Sequence, residues 1–165
     1  MERGDRQMVV IARLRAAPLV AWQAMCLGVL AALLNRLDWD GTPADIFWTM
    51  VYVHPVAMLS IAAVLGMSAY GLGLWRRRGA YVRHDGVMLY RGGSARWPLA
   101  LIRDVVVTRG ELGVESLRLV VDDDSEVTRE LVKLYMLDGR PEAVRDGVMF
   151  AAGRVRGFAG SVAVH

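Results

Sequence analysis

The sequence predicts a membrane α-hairpin of two transmembrane helices followed by a small, mainly β domain. Two observations set the hairpin. Ala16–Asn35 and Ile46–Trp75, 20 and 30 residues long, contain no Asp, Glu, Lys or Arg. At a rise of ~1.5 Å per residue, the shorter run already reaches about 30 Å, the hydrocarbon thickness of a bilayer. A third observation sets the domain: from Ala80 onward, short apolar runs alternate with turns rich in Gly and Asp, the mark of antiparallel strands.

Composition agrees with this division. The chain has 165 residues, 55% of them apolar and 22% charged, with a net charge of +3. That excludes a disordered chain and fits an ordinary soluble domain poorly. All of the excess positive charge lies after Trp75, and it is too mild to indicate a nucleic-acid partner. The one cysteine, Cys26, falls in the first apolar run, so an intrachain disulfide is ruled out. Arginine outnumbers lysine 19 to 1, a skew that fits a GC-rich bacterial genome.

In chain order, residues 1–15 read as a cytoplasmic segment, 16–35 as the first transmembrane helix, 36–45 as an external loop and 46–75 as the second transmembrane helix. Orientation follows from the positive-inside rule. Arg3, Arg6, Arg13 and Arg15 precede the first helix, and Arg76, Arg77, Arg78 and Arg83 follow the second. The loop instead carries Asp38, Asp40 and Asp45 against Arg36. Both termini are therefore expected in the cytoplasm, with Arg13, Arg15, Arg76, Arg77 and Arg78 at the membrane surface. Trp39, Phe47, Trp48 and Tyr52 would mark the outer boundary, and Trp75 and Tyr81 the inner one. A cleaved signal peptide is disfavoured because the first apolar run exceeds the usual ~7–15 residues and no A-x-A site closes it. His54-Pro55 interrupts the second run, so its spanning part is expected near Val56–Trp75, with Ile46–Val53 as an interfacial lead-in.

Small residues recur at helical spacing in both spans and let backbones approach closely in lipid. Ala24 and Gly28 lie on one face of the first, and Ala62, Gly66, Ala69 and Gly73 on one face of the second. Those faces either meet each other within one hairpin or dock on a different membrane protein, and a homo-oligomer would use them equally well.

The domain is expected over residues 76–156, with 157–165 as a tail. Ala80–Arg83 and Val87–Arg91 flank His84-Asp85-Gly86, a tight-turn signal because Gly accepts positive φ. Ala95–Ala100, Ile102–Thr108, Ser116–Val121 and Glu126–Leu137 complete about six strands. A closing helix starts near Asp138, Pro141 and Glu142 and carries Val144, Val148, Ala151, Ala152 and Val155 on one face. Gly157 and Gly160 are expected to break it.

The run Tyr81-Val82-Arg83-His84-Asp85-Gly86-Val87-Met88-Leu89-Tyr90, followed by Arg96-Trp97-Pro98-Leu99 and by Ile102 with Val105, resembles the pleckstrin-homology-like domains of small bacterial membrane proteins. The resemblance covers about residues 80–155 and implies an open barrel with a C-terminal helix, in the bacterial inner membrane. It also implies a non-enzymatic binding or assembly role. Phosphoinositide-binding members use a basic first hairpin loop, which His84-Asp85-Gly86 lacks.

No catalytic constellation is legible. G-x-S-x-G, a Cys–His pair and a phosphate loop with its Lys are all missing. Asp122–Glu126 departs from the calcium-loop pattern, with Val127 and Lys133 at its sixth and twelfth positions. His54, as an ionisable residue in an apolar run, invites a redox role, yet the spans offer no second imidazole. Neither a cofactor nor a metal is expected. The sequence thus points to an accessory, scaffold or assembly subunit of a larger membrane complex, binding through its helix faces and through a strand edge or a groove beside the last helix. A lipid or membrane-state sensor and a His54 redox subunit are the alternatives.

Overall fold

A computed structural model describes residues 8–37, 41–93, 95–110, 112–122 and 128–162. It divides into two units, Ala16–Arg76 and a second assembled from both sides of it, the residues up to Arg15 and those from Arg77.

The first unit holds α1 (Ala16–Leu34), α2 (Pro43–Tyr52) and most of α3 (Pro55–Arg77). Two helices, Ala16–Leu34 and Pro55–Ala80, are long and apolar enough to cross a membrane, and only 11% of the apolar window of each is buried. A core helix of a soluble protein would hide most of that surface. Before α2, Thr42 and Asp45 form a reciprocal capping box: Thr42 Oγ1 accepts from the Asp45 amide at 3.3 Å, and Asp45 Oδ2 from the Thr42 amide at 3.1 Å. The Thr42 hydroxyl also donates to Asp45 Oδ2 at 2.6 Å, and that bond, with the one from the Thr42 amide, holds the Asp45 carboxyl below its ordinary range. The break at Val53-His54 follows from Pro55, which biases the preceding residue away from helix and suits a helix's first turn. The long apolar run is thus two helices, with α2 carrying an exposed aromatic cluster: Phe47 edge-on to Trp48 at 5.4 Å and Trp48 stacked on Tyr52 at 5.5 Å.

The second unit is a mainly β domain of two antiparallel sheets and one helix. Its strands are β1 (Val9–Leu14), β2 (Val82–His84), β3 (Met88–Arg91), β4 (Ala95–Pro98), β5 (Ile102–Arg109), β6 (Glu115–Val121), β7 (Arg129–Lys133) and β8 (Leu137–Asp138). One sheet has the order β4-β3-β2-β1-β8, the other β5-β6-β7, and α4 (Pro141–Val162) packs on β5, on β1 and on the turn Leu99–Leu101. The sheets do not close into a barrel. Leu89, Leu99, Ile102, Leu117, Leu119, Leu131 and Val148 form the centre of the core, each fully buried.

Three features differ from the sequence reading. Residues 1–15 are not merely a segment before a span, since Val9–Leu14 forms β1, paired with β2 on one side and β8 on the other. With β8 this makes eight strands among the described residues, where about six were expected. The closing helix starts at Pro141, leaving Asp138 in β8 opposite Arg13, and it runs through Gly157 and Gly160 to Val162. An interior glycine costs a helix roughly 1 kcal/mol against Ala, too little to end one that is anchored over several preceding turns. Of the expected helix face, Val144, Val148, Ala151 and Ala152 are buried and Val155 is half-buried. At Gly147, a Cβ would stand 3.1 Å from Ile11 Cγ2, so glycine lets α4 settle close to β1.

Candidate functional site

Two places gather side chains that could carry a function. In the helical unit, the seam between α1 and α3 is marked by buried Leu19 and Cys26 against buried Val64 and Gly71. Gln23 and Ser68 exchange hydrogen bonds across it: Gln23 Nε2 donates to the Ser68 carbonyl at 2.8 Å, and Ser68 Oγ donates to Gln23 Oε1 at 2.8 Å. Trp22 Nε1 donates to the Met67 carbonyl at 3.1 Å. A Cβ at Gly71 would come within 2.8 Å of both Trp22 Cδ1 and Gln23 Nε2, so glycine is what lets the helices meet there.

The predicted small-residue faces lie elsewhere. Ala24, Gly28, Ala62, Gly66 and Ala69 are exposed and Gly73 is half-buried. Nothing stands within 4 Å of a Cβ at Gly28, Gly66 or Gly73. Sequence reasoning missed Gln23 and Ser68. A signal was present, because Gln23 is the one side-chain amide in α1, and an amide placed in lipid seeks a partner on a neighbouring helix.

In the domain, a groove of about 570 Å³ runs between β1, the β2–β3 turn and α4, with Val10, Ile11, His84, Phe150, Ala151 and Arg154 on its walls. Phe150 is 69% exposed, and the Arg154 guanidinium sits 5.9 Å from its ring centroid. At the turn, Asp85 Oδ1 accepts from the amides of Val87 and Met88 at 2.9 and 2.7 Å, Tyr90 Oη donates to Oδ2 at 2.9 Å, and Gly86 has φ of +87°. Asp85 is thereby committed to building the hairpin.

His84 Nδ1 accepts the Gly86 amide at 3.1 Å, which puts the neutral ring's proton on Nε2. Burial holds the His84 ring below the usual histidine range; Asp85 opposes this and Arg154 adds to it. A lowered folded value favours the neutral ring. Its contribution to stability is therefore complete above the unfolded value of ~6.5 and is lost as pH falls through the lower folded value. The expected outcome is a melting temperature that declines below about pH 6.5, with the decline flattened in His84→Gln. Thermal melts across that range check it, and equal slopes in both proteins would refute the assignment.

Of the predicted surface arginines, Arg13, Arg15, Arg76 and Arg77 are exposed and Arg78 is half-buried. Arg77 folds back, its guanidinium lying where a Cβ on Gly93 would be. His54 is exposed at the α2–α3 break, its amide donating to the Thr49 carbonyl at 3.2 Å. Among the described residues, no group of three or more His, Cys, Asp or Glu side chains is placed to hold a metal ion. Arg3, Arg6, Asp38, Trp39, Asp40, most of the Asp122–Glu126 run and His165 lie outside the described residues. No family model matches the chain, and neither a curated protein nor a solved structure does.

Proposed function

We propose that this chain is a non-catalytic, two-span integral membrane protein. Its domain, of the pleckstrin-homology-like type, serves as the adaptor of a larger membrane assembly at the cytoplasmic face of a bacterial inner membrane. The observation that carries the reading is the split domain. β1 precedes the helical hairpin in sequence and β2 follows it, yet the two share a ladder, with Val10 opposite Arg83 and Ala12 opposite Val82. Strands that exchange backbone hydrogen bonds lie on one side of a bilayer, so a hairpin inserted between them enters and leaves on that side. The arginines that flank it then favour the cytoplasm.

A domain joined to its anchor by both ends of the hairpin is tethered to the membrane twice and still offers surface to a soluble segment. The groove beside α4 supplies an apolar floor with Phe150 and Arg154 at its rim, features that recur at binding hot spots. The hairpin leaves the faces of Gly28 and Gly66 uncovered by its own helices, which suits contact in the membrane plane.

The test is purification of the tagged full-length protein in mild detergent, followed by native mass spectrometry. The expected result is a stoichiometric partner that is retained by the wild type and lost in Phe150→Glu, a change at an exposed position that leaves the melt intact. A homogeneous monomer, or a partner held equally by the variant, would overturn the adaptor role of the groove.

A further inference from the structure

The structure carries a second hollow, on the β5–β6–β7 sheet, that neither the adaptor role nor the hairpin uses. Along β6, Leu117, Leu119 and Val121 turn into the core, which sends Ser116 and Arg118 to the opposite face. There, beside the β5–β6 connection, a cavity of about 550 Å³ is lined by Thr108, Arg109, Ser116, Arg118, Glu130 and Lys133, together with loop residues.

Three of these residues are cations, and among the described residues the one acid in the lining, Glu130, is already engaged. Glu130 accepts from Arg91, Oε1 to Nη2 at 3.3 Å, and its carbonyl takes Arg91 Nη1 at 2.5 Å. Arg118 faces Glu130 across the ladder but makes no ion pair with it. Among the described residues, no carboxylate lies within ion-pair distance of Arg109, Arg118 or Lys133. Lys133 is the one lysine in the sequence.

Arg109 Nε donates to the Gly113 carbonyl at 3.2 Å, but two other polar atoms of the hollow lack partners. Arg118 Nη1 donates to Thr128 Oγ1 at 3.2 Å, which fixes the guanidinium, while its Nε is buried with no acceptor. Thr108 Oγ1 is likewise buried with no partner, and Ser116 is buried at 5% exposure. Buried donors without acceptors are uncommon in folded proteins and call for an explanation. With Nη1 held and Nε buried, Nη2 is the guanidinium nitrogen of Arg118 left for an oxygen ligand, and Arg109 and Lys133 add positive charge beside it. The Ser116 hydroxyl supplies a further donor.

We propose that this hollow binds a phosphoryl group. Arg118 is its anchor through Nη2, with Arg109 and Lys133 as flanking charges. The same chemistry serves a free phosphate or phosphomonoester and the phosphate of an anionic lipid, and the test separates them.

The single lysine makes the readout site-specific. Full-length protein in neutral detergent is treated with an amine-reactive ester, and acylation of Lys133 is followed by mass spectrometry with the N-terminal amine as internal control. Inorganic phosphate is expected to slow Lys133 acylation in a saturable way, by about fivefold or more, while chloride at equal ionic strength leaves it unchanged. In Arg118→Gln the phosphate concentration needed for protection rises about tenfold, the scale of one lost charge-assisted hydrogen bond. Arg109→Gln, at an exposed position that leaves the melt unchanged, weakens protection in the same direction.

A parallel arm reconstitutes the protein in phosphatidylcholine bilayers with and without phosphatidic acid. Protection by phosphatidic acid but not by inorganic phosphate assigns the site to lipid; protection by inorganic phosphate assigns it to a free phosphoryl ligand. Protection by neither overturns the proposal, and so does protection undiminished in both variants. Retention of the protein partner in the same preparations keeps this outcome separate from that of the adaptor reading.

Discussion

Deleting residues 1–14 is expected to unfold the β domain, although every residue from Arg77 onward stays in place. β1 is an interior strand, with β2 on one side and β8 on the other, so its loss opens both neighbouring ladders at once. Ala12 and Leu14 are each 3% exposed, and removing a buried leucine alone costs about 2–5 kcal/mol. Set against the roughly 5–15 kcal/mol that holds a typical domain together, the loss of a whole interior strand leaves no margin. The complementary experiment removes the helical hairpin instead. Because Ala12 stands opposite Val82 and the turn Arg78–Ala80 lies against β1, a short flexible linker in place of Ala16–Arg76 rejoins the chain as a tight connection. That linked domain is expected to melt cooperatively, whereas the N-terminal deletion gives the circular dichroism and amide dispersion of an unfolded domain. A cooperative melt in the deleted protein would show that β1 is dispensable and would remove the topological argument with it.

The same strand explains what the sequence conceals. Local signals were legible wherever partners are close in the chain. Asp85-Gly86 marks the β2–β3 turn because the carboxylate and the positive φ act within four residues. Leu117, Leu119 and Val121 alternate because β6 buries one face, and the closing helix shows its stripe at Val144, Val148, Ala151 and Ala152. Val9–Leu14 offers no such local cue. Its partners lie beyond the hairpin, and Arg13 and Arg15 read equally well as the flank of a span. Pairing across an insertion is a long-range property, and periodicity in a short window does not report it.

The hollow on the second sheet was hidden for a related reason. Thr108, Arg118 and Lys133 come from three different strands, and each reads singly as a solvated strand residue. The ladder registers, Thr108 with Ser116 and Ser116 with Lys133, are what gather them. In the helices the small-residue faces left two readings open, contact within the hairpin or with another protein. A stripe of small residues shows where a backbone can be approached closely, but not by which neighbour. The polar pair Gln23–Ser68 decides the register of this hairpin, and it turns Gly28 and Gly66 away from the seam.

Gly71→Leu should therefore open the hairpin, where Gly28→Leu and Gly66→Leu should not. A Cβ at position 71 meets Trp22 and Gln23 at 2.8 Å, and a leucine adds three further carbons in the same direction. Gln23 can move aside only by giving up its reciprocal bonds to Ser68. Interhelical hydrogen bonds of this kind are worth about 0.6–2 kcal/mol each in a membrane. Losing the pair together with the close packing around it shifts the open–closed equilibrium by at least about tenfold. Cys26 provides the readout: it is the one cysteine of the sequence and is buried at 3% exposure in the seam, so its alkylation by a small maleimide in detergent reports opening directly. The expected result is slow labelling in the wild type, labelling faster by about tenfold or more in Gly71→Leu, and wild-type rates in the other two variants. If Gly28→Leu or Gly66→Leu accelerated labelling as strongly as Gly71→Leu, the seam would run along the small-residue faces, and the Gln23–Ser68 pair would not set the register. If those two variants instead keep Cys26 protected but release the partner seen by native mass spectrometry, one pair of helices carries two separate contacts, an inner one sealed by polar groups and an outer one made by glycine.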